Sequence, residues 1–131
     1  MSGLAAAVDT ELSKFRGIQA QIKDLRQSQQ TLMQQLNEND MVKAELDRLS
    51  DNDVVYKMVG PVLIKHELAE AKTTVEKRLE FITGDLGKIE ANAAQKEQEA
   101  QAIAEGIQKK QQDMQRTAKE EAEKIAKEAS V

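Results

Sequence analysis

Few side chains in this sequence have the type and spacing to do chemistry. They are His66, Tyr56 and a scatter of Asp and Glu, and there is no cysteine. A protein metal site needs three or four donors converging at short range. His66 is the only histidine and has no thiolate to join it, so no metal site is expected. Tyr56 is the only tyrosine and lies in a dense apolar run. An aromatic in such a run packs into a core or an interface far more often than it serves as a phenolic acid. The carboxylates are numerous, but acid–base catalysis needs a concave site that raises a pKa, and no such pocket is legible. Gly84-Asp85-Leu86-Gly87 follows no strand and is no phosphate loop. The expectation is no catalytic residue, no cofactor, no metal and no enzyme.

The composition agrees with a chain built for shape. Charged residues make up 32% of its 131 residues and aromatics 2%, which leaves little material for a compact globular core. Ala, Leu, Glu, Lys, Gln and Arg dominate, the mixture of long helices and coiled coils. A net charge of −4 disfavours a general nucleic-acid binder. Without cysteine there is no disulfide framework, which fits a reducing compartment. No apolar run approaches membrane-spanning length, and the opening Met1–Val8 stretch lacks the basic front of a secretory signal. No membrane association and a cytoplasmic location are expected. The length suits one structural unit, 1–131.

The elements follow from periodicity. From Leu4 to about residue 50 the apolar residues step by threes and fours along a seam of Leu4, Val8, Glu11, Phe15, Ile18, Ile22, Leu25, Gln29, Leu32, Leu36, Asn39, Lys43, Leu46 and Ser50. Nine of the fourteen are apolar, the mark of a coiled-coil helix. Asn37–Asp40 is expected to interrupt it, and the Val42, Leu46, Leu49 spacing implies that the seam rotates by one residue from Val42 onward. A second helix, about 67–128, carries Leu68, Lys72, Val75, Leu79, Ile82, Leu86, Ile89, Ala93, Lys96, Ala100, Ile103, Ile107, Lys110 and Met114. Its last dozen residues are expected to fray. Between the helices, Val54–Lys65 reads as strand, turn, strand. Gly60-Pro61 forms the loop with Gly60 at positive φ in a type II′ turn. Val59 then pairs with Val62, Met58 with Leu63, Lys57 with Ile64 and Tyr56 with Lys65. The expected fold is mainly α: a long antiparallel two-helix coiled coil joined by one β-hairpin.

That hairpin cannot stand alone. One face carries Val55, Val59, Val62 and Ile64, and the other Val54, Tyr56, Met58 and Leu63. An isolated two-stranded hairpin is marginal in water and leaves both edges open. Burying both faces requires more sheet than one chain supplies, so other subunits must complete a β-barrel with it. The candidate assembly residues are Val54, Val55, Tyr56, Met58, Val59, Gly60, Pro61, Val62, Leu63 and Ile64. Off the seams, Phe81 is expected to pack on the hairpin or a neighbouring subunit. Leu4, Val8 and Leu12, with Ile107 and Met114, form an apolar group at the far end of the coil, where Met adapts easily to varied partners.

Three blocks resemble a known family: Leu36-Asn-Glu-Asn-Asp-Met-Val-Lys-Ala-Glu-Leu46, Val55-Tyr-Lys-Met-Val-Gly-Pro-Val-Leu-Ile-Lys65 and Val75-Glu-Lys-Arg-Leu-Glu-Phe-Ile82. They look like the beta class of prefoldin subunits over roughly residues 36–86, and the flanks match only as coiled coil. The resemblance implies a hexamer of two alpha-class and four beta-class subunits. In it each beta-class chain gives one hairpin to a double β-barrel body from which the coils project. It further implies capture of unfolded actin, tubulin and other clients at the coil ends, with ATP-independent transfer to the cytosolic group II chaperonin. The partners implied are two alpha-class and three further beta-class subunits, the clients and the chaperonin. A structural coiled-coil adaptor, with the hairpin as a mere dimerisation device, is the alternative.

Overall fold

The computed structural model describes residues 2–130. Helix α1 (Ser2–Asp47) leads into strands β1 (Val55–Val59) and β2 (Val62–His66), and helix α2 (Leu68–Ala129) follows. The strands pair antiparallel with Val59 opposite Val62, Met58 opposite Leu63, Lys57 opposite Ile64, Tyr56 opposite Lys65 and Val55 opposite His66. Gly60 has φ of 61° and is the only described residue at positive φ. A type I′ turn needs positive φ at both loop positions, which proline's ring forbids, so Gly60-Pro61 is held to the II′ form.

The helix ends have local causes. The chain leaves α1 through short three-residue turns, Arg48 N–H to Glu45 O and Leu49 N–H to Leu46 O, each 3.2 Å. The Asp53 carboxylate then accepts from the Ser50 backbone N–H at 2.8 Å. This closed Ser50–Asp53 turn ends the helix at Asp47, about three residues before the expected position. Glu67 starts α2 by accepting the Ala71 N–H at 2.9 Å. Glu70 in the first turn and Lys127 in the last complement the helix dipole.

Two expectations are corrected. The Asn37–Asp40 stretch does not interrupt α1. The Asn39 amide instead donates to the Gln35 carbonyl one turn back, at 2.7 Å, so the polar residue sits in an unbroken helix. The C-terminal dozen residues do not fray either, since α2 runs to Ala129. Residues 118–130 are all exposed, and their Ala, Glu and Lys content favours helix without burial.

The chain divides into two compact units. The hairpin unit, Leu25–Ala91, holds a small core of Leu46, Ala71 and Val75, packed by Leu49, Val55, Leu68 and Leu79. Leu46 meets Ala71 and Val75 while Arg26 meets Glu90, so α1 and α2 run antiparallel there. In the other unit, Met1–Asp24 with Asn92–Val131, the buried residues are Val8, Ala93, Ala100 and Ile107. In both, burial follows the seams. Each seam position from Leu4 to Leu46 and from Leu68 to Met114 is buried or half-buried.

The rotation expected at Val42 does not occur. Val42 is 47% exposed, whereas Lys43 is half-buried. The seam therefore holds its register to Leu46 and shifts only at Leu49. A lysine serves in this place because its aliphatic stem covers apolar surface while the ammonium stays in water. In urea denaturation of the isolated chain followed by circular dichroism, Leu46→Ala should lower stability by about 2–3 kcal/mol. Val42→Ala should change it by less than about 0.5 kcal/mol. A comparable loss from both would place Val42 on the seam.

Candidate functional site

Most of the exposed large apolar side chains lie on the hairpin. Cross-strand partners share a face, so Val55, Lys57, Val59, Val62, Ile64 and His66 form one side, and Tyr56, Met58, Leu63 and Lys65 the other. Val55 alone of the strand residues joins the core cluster. Val54, Tyr56, Met58, Val59, Val62, Leu63 and Ile64 are all at least half exposed, Met58 the most at 72%. The sheet has two strands, so each strand is an edge with unpaired backbone groups. Covering what remains exposed on each of these side chains would contribute roughly 1 kcal/mol apiece. Of the ten residues singled out from the sequence, Val55 is drawn into the core, and the other nine, Gly60 and Pro61 included, lie exposed on the hairpin.

His66 sits where β2 meets α2, half-buried, with Nδ1 3.8 Å from Glu70 Oε2. No group of three or more His, Cys, Asp or Glu side chains suited to hold a metal occurs among the described residues. None of the described helices is long and apolar enough to cross a membrane. Phe81 does not pack on the hairpin as one reading expected: it is 70% exposed.

The other unit contains the far-end candidates. Leu4, Leu12 and Met114 are half-buried, whereas Val8 and Ile107 are each 7% exposed and belong to that unit's buried set. Leu4, Leu12 and Met114 thus keep part of their apolar surface open, and Val8 and Ile107 do not.

A polar cluster that the sequence reading did not anticipate joins the helices of the hairpin unit. Glu90 Oε2 accepts from Arg26 Nη1 at 2.8 Å and from Gln29 Nε2 at 2.7 Å. Arg26 Nη1 also donates to Gln29 Oε1 at 3.0 Å. Gln29 is a seam position, so its carboxylate partner supplies the polar complement that one register of α1 on α2 provides and a slipped one does not. The Gln29 amide, then the Arg26 guanidinium, hold the Glu90 carboxyl below its usual range.

With this geometry in view, the relatives are informative. The family model described as prefoldin subunit matches residues 9–114. Prefoldin subunit 6 from Bos taurus is 39% identical over 106 residues, covering 81% of this chain and 82% of that protein. Prefoldin subunit 6 from Homo sapiens is 38% identical over 106 residues, with 81% and 82% covered. Among solved structures, the prefoldin beta subunit from Thermococcus strain KS-1 has a TM-score of 0.75 at 23% identity, covering 79% of this chain and 90% of that one. That likeness shows the fold: two long helices joined by one antiparallel β-hairpin. The chain belongs to the prefoldin subunit family. It is a co-chaperone component that works with other subunits in a hetero-oligomer.

The Glu90 cluster sets a pH dependence. A carboxyl held low in the folded state stabilises fully above the unfolded group's pKa, and that contribution fades as pH falls through the folded value. Glu90→Gln should lower the thermal midpoint slightly at pH 7. The difference from the parent should close as the pH drops below roughly 4. Circular dichroism melts at pH 7 and pH 3 check this, and a gap that widens in acid would contradict the assignment.

Proposed function

We propose that the whole chain acts as one beta-type unit of a prefoldin hexamer of two alpha-class and four beta-class subunits. Its hairpin completes a shared β-barrel. The N-terminal part of α1 and the C-terminal part of α2 form a coil end that captures unfolded proteins, actin and tubulin among them. The complex hands these to the cytosolic group II chaperonin without nucleotide, in the cytoplasm. The observation that carries this reading is the hairpin, with seven large apolar side chains at least half exposed and both edges unpaired. Such a surface is stable only when another chain covers it. Leu4, Leu12 and Met114 support the client role because they offer shallow, adaptable apolar contacts. Contacts of this kind are weak singly and gain avidity when several coil ends engage one unfolded chain.

Light scattering on mixtures tests the assembly. The chain alone should associate poorly or heterogeneously and become a defined hexamer with an alpha-class partner and its beta-class neighbours. A stable simple dimer that ignores alpha-class subunits would instead support a structural adaptor. Val59→Asp with Ile64→Asp should abolish the hexamer. Removing the residues before Leu12 and after Ile107 should leave the hexamer intact and weaken its suppression of actin aggregation. Equal loss of assembly from both changes would refute the division between hairpin and coil end.

A further inference from the structure

A second surface of the hairpin unit is uncovered, and its chemistry differs from that of the hairpin faces. Where β1 meets the two helices, a groove of about 170 Å³ opens. Leu46 and Val75 are its buried apolar floor, and Val42 and Val55 stand beside them. Its charged members are the cations Lys57 and Arg78, with His66 between the hairpin and α2, and no carboxylate lines it. Neither Lys57 nor Arg78 forms an ion pair with a carboxylate among the described residues. Thr74, Arg78 and Phe81 are spaced i, i+4, i+7 and make one stripe along α2. The stripe thus leads from the groove through Arg78 to the exposed Phe81.

We propose that this flank docks a segment of a neighbouring subunit that carries an apolar side chain beside a carboxylate. The assignment rests on the hexamer reading above and adds a second contact to it. Volume sets the first requirement: an apolar cavity of about 150 Å³ takes a benzene-sized group, so the groove holds one side chain of leucine or phenylalanine size. Charge sets the second. An arginine and a lysine with no carboxylate between them attract an acidic partner, and the guanidinium fork binds a carboxylate in two parallel hydrogen bonds. Position sets the third. Val55, Tyr56 and Lys57 belong both to the hairpin and to the groove wall, so a chain brought in by the hairpin reaches the groove at once. An unfolded client, which offers no fixed spacing of charge and apolar anchor, is a poor match for so restricted a site.

The test uses the complex reconstituted with its other subunits, with a photo-crosslinking phenylalanine analogue in place of Val42. The expected product joins this chain to another subunit, next to an Asp or Glu. Arg78→Glu should raise the subunit concentration needed for half-assembly by about tenfold or more, and Arg78→Lys by less, since it keeps the charge and loses the fork. Cross-links confined to the chain itself, or formed only with added unfolded actin, would overturn the docking, as would parent-like assembly by Arg78→Glu. If Arg78→Glu loses helicity on its own, the cross-link alone decides. Failure of the parent chain to assemble with alpha-class subunits would refute both the hexamer and this contact. Normal assembly with a silent flank would refute the contact only.

Discussion

A two-stranded sheet has no interior strand, and that constraint governs the rest of this structure. The outer edges of β1 and of β2 have no partner strand among the described residues, and a second sheet layer would be needed to cover either face. The chain supplies none. Its remaining residues are committed to two helices whose seams face one another, with Val55 as the single strand side chain drawn into the coil. Apart from Lys57 and Lys65, the exposed strand residues are valine, isoleucine, leucine, methionine and tyrosine, types that suit a buried pleated surface and make a poor water-facing one. Their choice has a physical rationale once the sheet continues into other chains.

The coil itself has a thin core. Its most buried members are Val8, Leu46, Ala71, Val75, Ile82, Ala93, Ala100 and Ile107, three of them alanine, and no charged or polar residue is buried among the described residues. Two helices in contact leave most of the other seam side chains only half-buried, so apolar burial alone specifies the register weakly. Polar seam positions compensate. Gln29 and Arg26 converge on Glu90 at hydrogen-bond distance, and a slip of one turn would separate all three. The lysines at 43, 72, 96 and 110 are half-buried, which follows from the length of their stems and adds cover without adding a buried charge.

Legibility in the sequence varied with how local the cause was. The hairpin register was readable because Gly60-Pro61 admits one turn type, and the turn dictates each pair beyond it. The seams were readable because a heptad averages over many residues. Val42 is the more apolar neighbour, yet register decides burial, and the half-buried residue is Lys43. α1 ends earlier than its composition suggests because the cause is a carboxylate bond, Asp53 accepting from the Ser50 N–H, which composition records only as a cluster of turn formers. The polarity of the α2 tail suggests fraying, but Ala, Glu and Lys are strong helix formers and the helix runs to Ala129. The Arg26–Gln29–Glu90 cluster was out of reach for another reason. Seven residues (48–54) join α1 to β1 and one, Glu67, joins β2 to α2. This unequal pair of connectors sets which residue of α1 faces which residue of α2, and no local pattern encodes it.

The same inequality bears on how the hairpin is presented. A one-residue junction ties β2 closely to α2, and the Glu67 carbonyl already accepts the first bond of that helix. The longer connector to β1 is stiffened by its own closed turn at Ser50–Asp53. The sheet is therefore anchored at both strands, by a short link on one side and a locked turn on the other, with Val55 wedged against Leu46 and Val75. An anchored hairpin has lost little further freedom to give up when another chain pairs with it, so the apolar area it buries goes largely into association. Preorganisation at the hairpin and sparse packing along the coil are thus complementary consequences of one sequence. Sheet-forming residues are concentrated where the chain is most constrained, and the helices carry only enough apolar surface to hold each other.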